Sequence, residues 1–269
     1  MRILLTNDDG ITAPGIAAMY RILSDLGPVE AVQVVAPMDV QSAVGHAVTI
    51  YEPIVTRKQT VVTEFGDQFQ GIAVDGRPAD CVKLAVNHLL DEPVDLVVSG
   101  MNGGVNMGIN VLYSGTVAAA REAAIQGIPA IAVSLFIGDR KQTRWLDAAA
   151  HAGRVIEKLL DGPHQLGQLM NLNIPILDNG FEPKGVRVAP LSQSALTDRY
   201  NESADHAGDR CFKIQSSIAF RHTPADSDVA CIFDGYITLT PLLTDSTDGQ
   251  SIDSWTQHVE SQFGEPETD

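Results

Sequence analysis

The sequence predicts an α/β fold built on a mostly parallel, doubly wound sheet. Short apolar runs alternate with segments of helical period as far as about residue 175, which is typical of a parallel sheet covered by helices on both faces. A length of 269 residues and a hydrophobic content of 44% suit one large domain with a substantial core. From about Gly185 the pattern changes to short strands separated by polar loops.

The first strand and the first helix follow from the stretch that opens the chain. The apolar run that begins at Arg2 indicates a buried parallel strand, and Asn-Asp-Asp-Gly at 7–10 has turn chemistry. Pro14 suits the first turn of a helix, and apolar residues continue at helical spacing to Leu26. Two adjacent carboxylates therefore lie on a loop at the carboxyl end of the first strand, the edge where open α/β sheets bind ligands.

The remaining elements follow from the same two periods. We expect core strands at 31–36, 95–99, 129–134 and 169–174, and helices at 78–90, 117–126 and 144–160. Segments 49–56 and 61–74 alternate weakly, and we expect them to form antiparallel strands in an arm outside the main sheet. Later in the chain we expect short strands at 186–188, 211–220 and 236–242, a short helix near Asp228 and a helix around 252–263.

The change of pattern after Gly185 also predicts how the domain is organised. We expect a Rossmann-like core over residues 1–180 and a C-terminal extension over residues 181–269. The extension is expected to be integral to the same domain and to be used for oligomerisation.

Charge and cysteine content exclude several classes of protein. The chain has 18 Lys and Arg against 34 Asp and Glu, a net charge of −16, which argues against nucleic acid duplexes and anionic membranes as partners. Three cysteines lie far apart without a C-x-x-C pair, as in a reduced cytoplasm. No apolar run approaches the ~20 residues of a membrane helix, and the N-terminus has no signal-peptide pattern. We expect a cytoplasmic protein whose acidic stretch after Arg221 is a solvated face or a frayed tail.

Asp8 and Asp9 are candidate ligands of a cation. A turn with a helix cap could explain an Asp-Gly pair, but one carboxylate is enough for a cap. Two neighbouring carboxylates repel each other unless a cation lies between them. Hard divalent ions such as Mg²⁺ and Mn²⁺ prefer oxygen ligands of this kind.

A second candidate loop, residues 100–110, is rich in Gly and Asn and follows the 95–99 strand. Glycines let the backbone approach a ligand closely, and asparagines offer neutral oxygens to a metal or N–H donors to a phosphate. Ser114-Gly115-Thr116 stands where a helix begins, which favours an anion. A simple Ser/Thr cap explains that tripeptide about equally well.

Other well-known motifs are absent from the sequence. It has no G-x-G-x-x-G after the first strand and no G-x-x-x-x-G-K-[ST], which argues against a dinucleotide site and a P-loop NTPase. It also lacks the G-x-S-x-G of serine hydrolases. The two carboxylates are adjacent rather than spaced as Asp-x-Asp, which weakens a haloacid-dehalogenase-type interpretation.

Five motifs together carry a family resemblance: Thr6–Gly10, Ala36-Pro37 with Ser42 and Gly45-His46, Pro78–Val82, Ser99–Gly108, and Tyr113–Val117. The combination resembles the SurE family of metal-dependent nucleoside monophosphate phosphatases. The match continues through 171–175 and 235–242 and covers residues 1 to about 243, although 189–209 fits poorly. The resemblance implies a Rossmann-like, mostly parallel sheet flanked by helices, a protruding hairpin, and homodimers or homotetramers that exchange C-terminal elements.

The resemblance also implies the site and the activity. It implies that one Mg²⁺ or Mn²⁺ per subunit is held by Asp8, Asp9, Ser42 and Asn102. We expect hydrolysis of nucleoside 5′-monophosphates, with 3′-monophosphates and short polyphosphate as further candidate substrates. Asp8 and Asp9 are the expected catalytic residues, with a metal-activated water as the preferred nucleophile and Asp8 itself as the alternative. The phosphate is expected to bind to Asn106, Ser114, Gly115 and Thr116.

A rival hypothesis is a nucleotide-binding module without turnover. Such a module needs phosphate donors, but has less need for two adjacent carboxylates that would repel the phosphate. Three residues near the motifs are expected to have structural roles: His46 as a hydrogen-bonded loop histidine, Asp80 as a cap or pairing partner, and Cys81 as a core residue.

Overall fold

A nine-stranded sheet forms the centre of the computed structural model. The structure describes residues 1–138, 143–161, 169–194, 199–203, 210–215 and 223–263. The strands of the main sheet are β1 (Arg2–Thr6), β2 (Ala31–Pro37), β3 (Thr56–Val62), β4 (Gln68–Val74), β5 (Leu96–Gly103), β6 (Ala130–Leu135), β7 (Leu169–Ile174), β8 (Val186–Val188) and β11 (Ile237–Leu242). They lie side by side in the order β3-β4-β2-β1-β5-β6-β7-β11-β8. A separate antiparallel hairpin consists of β9 (Arg199–Ser203) and β10 (Cys211–Gln215).

Helices cover both faces of the main sheet. The helices of the described residues are α1 (Pro14–Ser24), α2 (Pro78–Leu84), α3 (Gly115–Ile125), α4 (Trp145–Leu160), α5 (Asp228–Phe233) and α6 (Ile252–Phe263), of which α1 to α4 lie on the two faces. Helices α1 and α4 share one hydrophobic core with one face of the sheet, and α2 and α3 share another with the opposite face. This arrangement confirms the predicted α/β class with a mostly parallel sheet flanked by helices.

Strand β1 shows why the sheet is covered on both sides. Ile3 and Leu5 point into the core beneath α1 and α4, whereas Leu4 points into the core beneath α2 and α3. All three are completely buried, as expected for successive side chains of a strand that points alternately to two covered faces. Strand β1 runs parallel to β2 on one side and to β5 on the other. The loops that follow β1, β2 and β5 therefore leave the sheet at the same edge.

The antiparallel pair β3–β4 corrects one expectation. The prediction that these strands form an arm outside the main sheet is wrong. Strand β4 pairs in parallel with β2, and β3 pairs with β4 as the edge strand of the same sheet. Residues 49–55 contain no strand. Val61, Phe69 and Ala73 are buried in the same core as Ile3, and burial of this alternating face holds the pair in the sheet. Because β3 is an edge strand exposed along most of its length, its alternation is weak in the sequence.

The segment after Gly185 adds strands to the main sheet. Strand β11 pairs antiparallel with β7, and β8 pairs in parallel with β11. The expected strands at 186–188 and 236–242 and the helices near Asp228 and at 252–263 are present. Of the expected strand at 211–220, residues 211–215 form β10 and residues 216–220 lie outside the described residues.

Two structural residues have the roles predicted for them. The Asp80 carboxylate accepts hydrogen bonds from the backbone N–H of Arg77 and from both the N–H and the hydroxyl of Thr49, so it caps α2 and holds the loop before β3. Cys81 is completely buried, and none of the three cysteines, all of which lie in the described ranges, forms a disulfide. Within the described ranges, each helix is too short or too polar to cross a lipid bilayer.

Replacing Gly15 tests how closely α1 approaches β5. An ideal Cβ at Gly15 would lie 2.0 Å from the carbonyl oxygen of Met101, so Gly15→Ala must displace the helix or the strand. We expect a loss of about 2–3 kcal/mol in the free energy of unfolding, measured by denaturant titration. Gly27 has no atom within 4 Å of its Cβ position, and Gly27→Ala should change stability by less than about 0.5 kcal/mol. Equal effects of the two substitutions would contradict the packing argument.

Candidate functional site

The turn after β1 fixes the two adjacent carboxylates. The buried side chain of Asn7 closes this turn, because its Nδ2 donates to the carbonyl of Gly10 at 2.8 Å and its Oδ1 accepts from the Gly10 N–H at 3.2 Å. Gly10 has a φ of +97°, a conformation that glycine adopts without strain. Ile11 N–H then donates to the carbonyl of Pro37 at 2.9 Å. Asp8 and Asp9 therefore lie on a well-braced turn between β1 and α1.

The Asp8 carboxylate is buried against the first turn of α3. Asp8 is only 5% exposed. Its Oδ1 accepts a 2.7 Å hydrogen bond from the hydroxyl of Thr116. The Thr116 backbone N–H also donates to this carboxylate. An ideal Cβ at Gly115 would lie 2.9 Å from the Cβ of Asp8, so the absence of a side chain at Gly115 allows the helix to begin directly against the acid.

Burial controls the acidity of Asp8. The pKa of this carboxyl is raised from an ordinary 3.8 to about 6, and burial is the largest cause. The hydrogen bonds from Thr116 act in the opposite direction, and the nearby charge of Asp9 acts in the same direction as burial. The two neighbouring carboxylates thus concentrate negative charge at this turn, where Asp8 has little access to water. A cation bound here would favour the ionised form of Asp8.

Asp9 is tied to the end of β5. The backbone N–H of Gly103 donates to its Oδ2 at 3.0 Å. The neighbouring Asn102 stands opposite Ser134 of β6, after a register shift in the pairing of the two strands. The Asn102 Nδ2 donates to the carbonyl of Gly104, so the amide nitrogen has a protein partner. A cation would take the other end of this amide, its Oδ1.

The loop that carries Ser42 is held against the same site. The N–H of Gln41 donates to the backbone carbonyl of Asp8 at 2.7 Å, and the side chain of Gln41 accepts from Arg77. The carbonyl of Gln41 lies 3.1 Å from the Cβ position of Gly115. Ser42, the next residue, is exposed.

The donor set of these segments fits a hard divalent cation. The predicted ligands offer two carboxylates, a hydroxyl and an amide oxygen: Asp8, Asp9, Ser42 and Asn102. Each carboxylate can accept about four hydrogen bonds, so lone pairs remain after the contacts with Thr116 and Gly103. In the part of the chain that the structure describes, no three His, Cys, Asp or Glu side chains gather as a metal site. A cation at Asp8 and Asp9 would therefore depend on neutral oxygens to complete its coordination.

Asn106 connects Asp8 to β6 through a chain of hydrogen bonds. Its Nδ2 donates to the hydroxyl of Ser134 at 2.8 Å and to that of Thr116 at 3.3 Å, and Thr116 donates in turn to Asp8. Both amide protons of Asn106 and the hydroxyl proton of Thr116 thus point to protein atoms. The predicted contact of these two side chains with phosphate stays a prediction.

Ser114 acts as the cap of α3, the alternative that the sequence left open. Its Oγ accepts from the N–H of Val117 at 3.0 Å, and the residue is buried. Acceptance of this hydrogen bond leaves the hydroxyl proton of Ser114 available to a ligand. Its predicted contact with phosphate, and that of Gly115, also stay predictions.

Two asparagines of β7 anchor the backbone of the Gly/Asn-rich loop, and the sequence analysis assigned neither of them a role. The N–H of Asn106 donates to Oδ1 of Asn173 at 2.9 Å, and the carbonyl of Asn106 accepts from the side chains of Asn171 and Asn173. Both are completely buried. Polar residues at alternate positions of a core strand were the available signal, because such side chains share one face and need partners there.

Asp228 anchors the same loop from the C-terminal segment. Its carboxylate accepts from the backbone N–H groups of Gly108, Ser192 and Val229 at 2.7–2.9 Å. Asp228 is completely buried, and burial raises its pKa despite these hydrogen bonds. The sequence analysis expected the acidic stretch after Arg221 to be a solvated face or a frayed tail, and the buried Asp228 shows that this is wrong for part of the stretch.

Glu122 links α3 to the loop that carries Ser42. Its Oε2 lies 2.9 Å from Nε2 of His46, and its Oε1 lies 3.1 Å from Nζ of Lys83. The hydrogen bond with His46 is the main reason that the pKa of this buried acid stays below its ordinary range. His46 is thus a hydrogen-bonded loop histidine, as predicted.

Comparisons with known proteins agree with the resemblance seen in the motifs. The family model described as "Survival protein SurE" matches residues 3–198. The chain is 40% identical to the 5′-nucleotidase SurE of Carboxydothermus hydrogenoformans over 247 residues, which is 92% of each chain. It is 42% identical to the 5′-nucleotidase SurE of Nitratidesulfovibrio vulgaris, over 94% of this chain and 90% of that one. The crystal structure of the SurE protein from Aquifex aeolicus superimposes with a TM-score of 0.79 at 34% identity, over 96% of this chain and 99% of that one.

The raised pKa of Asp8 predicts how pH changes stability and metal binding. Between pH 6 and pH 4, the metal-free folded protein takes up a proton at Asp8 that the unfolded chain, with an ordinary pKa of 3.8, does not. The contribution of Asp8 to folding stability should therefore increase as pH falls, by about 1 kcal/mol per pH unit. A cation that needs ionised Asp8 should bind about tenfold more weakly for each pH unit below 6.

Thermal unfolding at pH 5, 6 and 7.5, with Mn²⁺ and with EDTA, measures both effects. The stabilisation by Mn²⁺ should be largest at pH 7.5 and small at pH 5. Asp8→Asn is the control, because it removes the titrating group, and the difference between its curves and the wild-type curves isolates Asp8. A wild-type shift that does not depend on pH would contradict the assignment.

Proposed function

The chain belongs to the SurE family, and we propose on that basis that it is a 5′-nucleotidase, a phosphoric monoester hydrolase that converts nucleoside 5′-monophosphates to nucleoside and phosphate. The observation that carries this proposal is the placement of two adjacent carboxylates at the edge of the sheet. Asp8 is buried against the start of α3, and Asp9 is bound to the end of β5. Such a pair needs a cation if it is to meet the anionic phosphate of a substrate.

We propose that Asp8, Asp9, Ser42 and Asn102 hold one Mg²⁺ or Mn²⁺ in each subunit. The hard oxygen donors and the orientation of the Asn102 amide support this set. When bound, the cation supplies charge withdrawal from the phosphoryl group and lowers the pKa of a coordinated water. The protein contributes the fixed positions of the two carboxylates, which the Asn7 turn and the Gly103 N–H hold in place.

We propose that the start of α3 binds the remaining phosphate oxygens. The hydroxyl proton of Ser114 and the backbone N–H groups of the first turn, at Gly115 and beyond, are donors at the positive end of the helix dipole. The hydroxyl of Thr116 orients Asp8, and Asn106 orients that hydroxyl. Either side chain would have to exchange its protein partner for a phosphate oxygen in order to bind substrate directly.

The proposed location is the cytoplasm, with neither nucleic acid duplexes nor membranes as partners. Three cysteines without a disulfide support a reducing compartment, and the net charge of −16 opposes binding to polyanions. The substrate range proposed here includes nucleoside 3′-monophosphates and short polyphosphate beside the 5′-monophosphates.

We further propose that the C-terminal extension, residues 181–269, joins subunits into a homodimer or homotetramer. Helix α6 has an apolar face of four residues that are 47–84% exposed: Ile252, Trp255, Val259 and Phe263. Their spacing of three and four places them on one side of the helix, and no residue of α6 is buried. An apolar face of this kind is stable in water when a partner covers it, and a second copy of the chain is the proposed partner.

Substitution of the proposed ligands tests the metal-dependent reaction. Asp8→Asn should reduce phosphate release from nucleoside 5′-monophosphates by at least about 1,000-fold, because it removes charge from the cation site. Asn102→Ala removes a neutral ligand, and we expect a loss of about 10- to 100-fold that added Mn²⁺ partly restores. Phosphate release is measured with Mg²⁺, with Mn²⁺ and after treatment with EDTA, over 5′- and 3′-monophosphates and tripolyphosphate.

The fold should survive both substitutions, which thermal unfolding checks. Full activity after exhaustive EDTA treatment, or wild-type rates for Asp8→Asn, would contradict the assignment. Tight nucleotide binding without phosphate release in Mn²⁺ would instead support the rival function of a binding module.

A charge on the apolar face of α6 tests the proposed assembly. Val259→Glu should raise the dissociation constant of the oligomer by about 100-fold, because a carboxylate would be buried between subunits without a partner. Gln257→Glu adds the same charge on the opposite side of the helix and should leave the oligomer intact. Light scattering after size-exclusion chromatography measures the mass of each variant. A wild-type protein that is monomeric at micromolar concentration would overturn the assembly proposal.

A further inference from the structure

An aromatic cavity of about 440 Å³ lies at the same edge of the sheet as the carboxylates. Its walls include Phe136, Ile176, Phe181 and Phe233, and its charged lining residue is Asp178. We propose that this cavity binds the base of the nucleoside monophosphate, so that its aromatic side chains determine which phosphomonoesters are good substrates. This inference rests on the proposed function and names the part of the substrate that the catalytic residues do not contact.

The register of the sheet sets the distance between the cavity and the carboxylates. Gly103, whose N–H binds Asp9, stands opposite Leu135 of β6, and Leu135 stands opposite Ile174 of β7. Phe136 follows in the next row, where its N–H donates to the carbonyl of Ile174 at 2.8 Å. Neighbouring strands lie about 4.8 Å apart, so the cavity begins about 5–10 Å from Gly103. That span matches the extent of a nucleoside attached to a phosphate at Asp8 and Asp9.

Apolar side chains lie beside both sites. Around the Cβ position of Gly103 lie Cδ1 of Ile137 at 3.1 Å, a ring carbon of Trp145 at 3.2 Å and Oδ2 of Asp9 at 3.8 Å. Phe136 packs against the small cluster formed by Val105, Met107, Val229 and Ile232. Apolar side chains therefore lie both next to the proposed cation site and at the wall of the aromatic cavity.

Three phenylalanine side chains line the cavity, and two of them are partly exposed. Phe136 and Phe233 meet edge to face with their ring centroids 5.4 Å apart. Phe181 packs against the backbone of Gly235, which has a φ of +87°. Phe181 is 40% exposed and Phe233 is 57% exposed, a large exposure for two rings that face one cavity. Bases stack on rings of this kind.

The charge of Asp178 in the cavity wall favours entry of the uncharged end of the substrate. The carboxylate of Asp178 repels a phosphate but accepts hydrogen bonds from the N–H and O–H groups of a nucleoside. The phosphate is thus kept at the proposed cation site, and the uncharged end of the molecule lies among the phenylalanines.

Comparison of a substrate with and without a base tests this inference. In Mn²⁺, Phe233→Ala should lower the ratio of kcat/KM for adenosine 5′-monophosphate to that for ribose 5-phosphate by about tenfold, since one stacking contact is lost. Phe233→Tyr keeps an aromatic face and should hold the ratio near the wild-type value. Phe181→Ala, a second partly exposed position, should lower the ratio in the same direction and covers the case in which Phe233→Ala fails to fold. A ratio that neither alanine variant changes would overturn the inference.

Binding of adenosine keeps the test separate from turnover. Titration calorimetry should give a dissociation constant about tenfold higher for Phe233→Ala than for wild type or Phe233→Tyr. That result would support the base site even if the wild-type protein released no phosphate, an outcome that would defeat the proposed function alone. Equal adenosine affinity of wild type, Phe233→Ala and Phe181→Ala would overturn the base site even in an active phosphatase.

Discussion

A buried carboxylate at the first turn of α3 is the constraint on which the site depends. Removal of Asp8 from water disfavours its charge, so the protein surrounds it with donors: the hydroxyl and the N–H of Thr116, at the positive end of a helix. This contact requires glycine at position 115, and it requires Asn106 and Ser134 to orient the threonine. Stabilisation of the buried Asp8 carboxylate thus connects β1, α3 and the loop after β5.

The second half of the chain stabilises the site without contributing a predicted ligand. The side chains of Asn171 and Asn173 make the hydrogen bonds that the backbone N–H and carbonyl of Asn106 would otherwise make to backbone partners. Asp228 does the same for Gly108 and, through a second oxygen, for Ser192. A glycine-rich loop loses much conformational entropy when it becomes ordered, and these buried side chains oppose that loss. The loop is therefore ordered by β7 and α5 more than by its own sequence.

The sequence was sufficient where the determinants are local. The apolar run of β1, the turn at residues 7–10 and Pro14 are contiguous, and each is a direct consequence of backbone chemistry, so the position of Asp8 and Asp9 on the sheet edge could be predicted. The pairing of β4 with β2 depends on which edge of the sheet is open, a property of the whole fold, and the edge hairpin was consequently misplaced. The contacts of Asn106 show a further limit, because a side chain's chemistry predicts what it can bind but not which of several partners is near. The roles of Asn171, Asn173 and Asp228 depend on contacts 65–120 residues apart in the chain.

The long-range anchoring of the Gly/Asn-rich loop also affects when the site forms. Elements such as β1, α1 and β2 are made early in synthesis, but the side chains that fix Asn106 and Gly108 emerge from the ribosome 65–120 residues after the loop itself. Contacts of such separation close late, because the chain entropy of large loops must be overcome first. A nascent chain that already contains Asp8, Asp9 and Asn102 therefore remains without an ordered site until α5 docks. Formation of the site is in this way coupled to completion of the sheet, and incomplete chains carry the proposed ligands without the geometry.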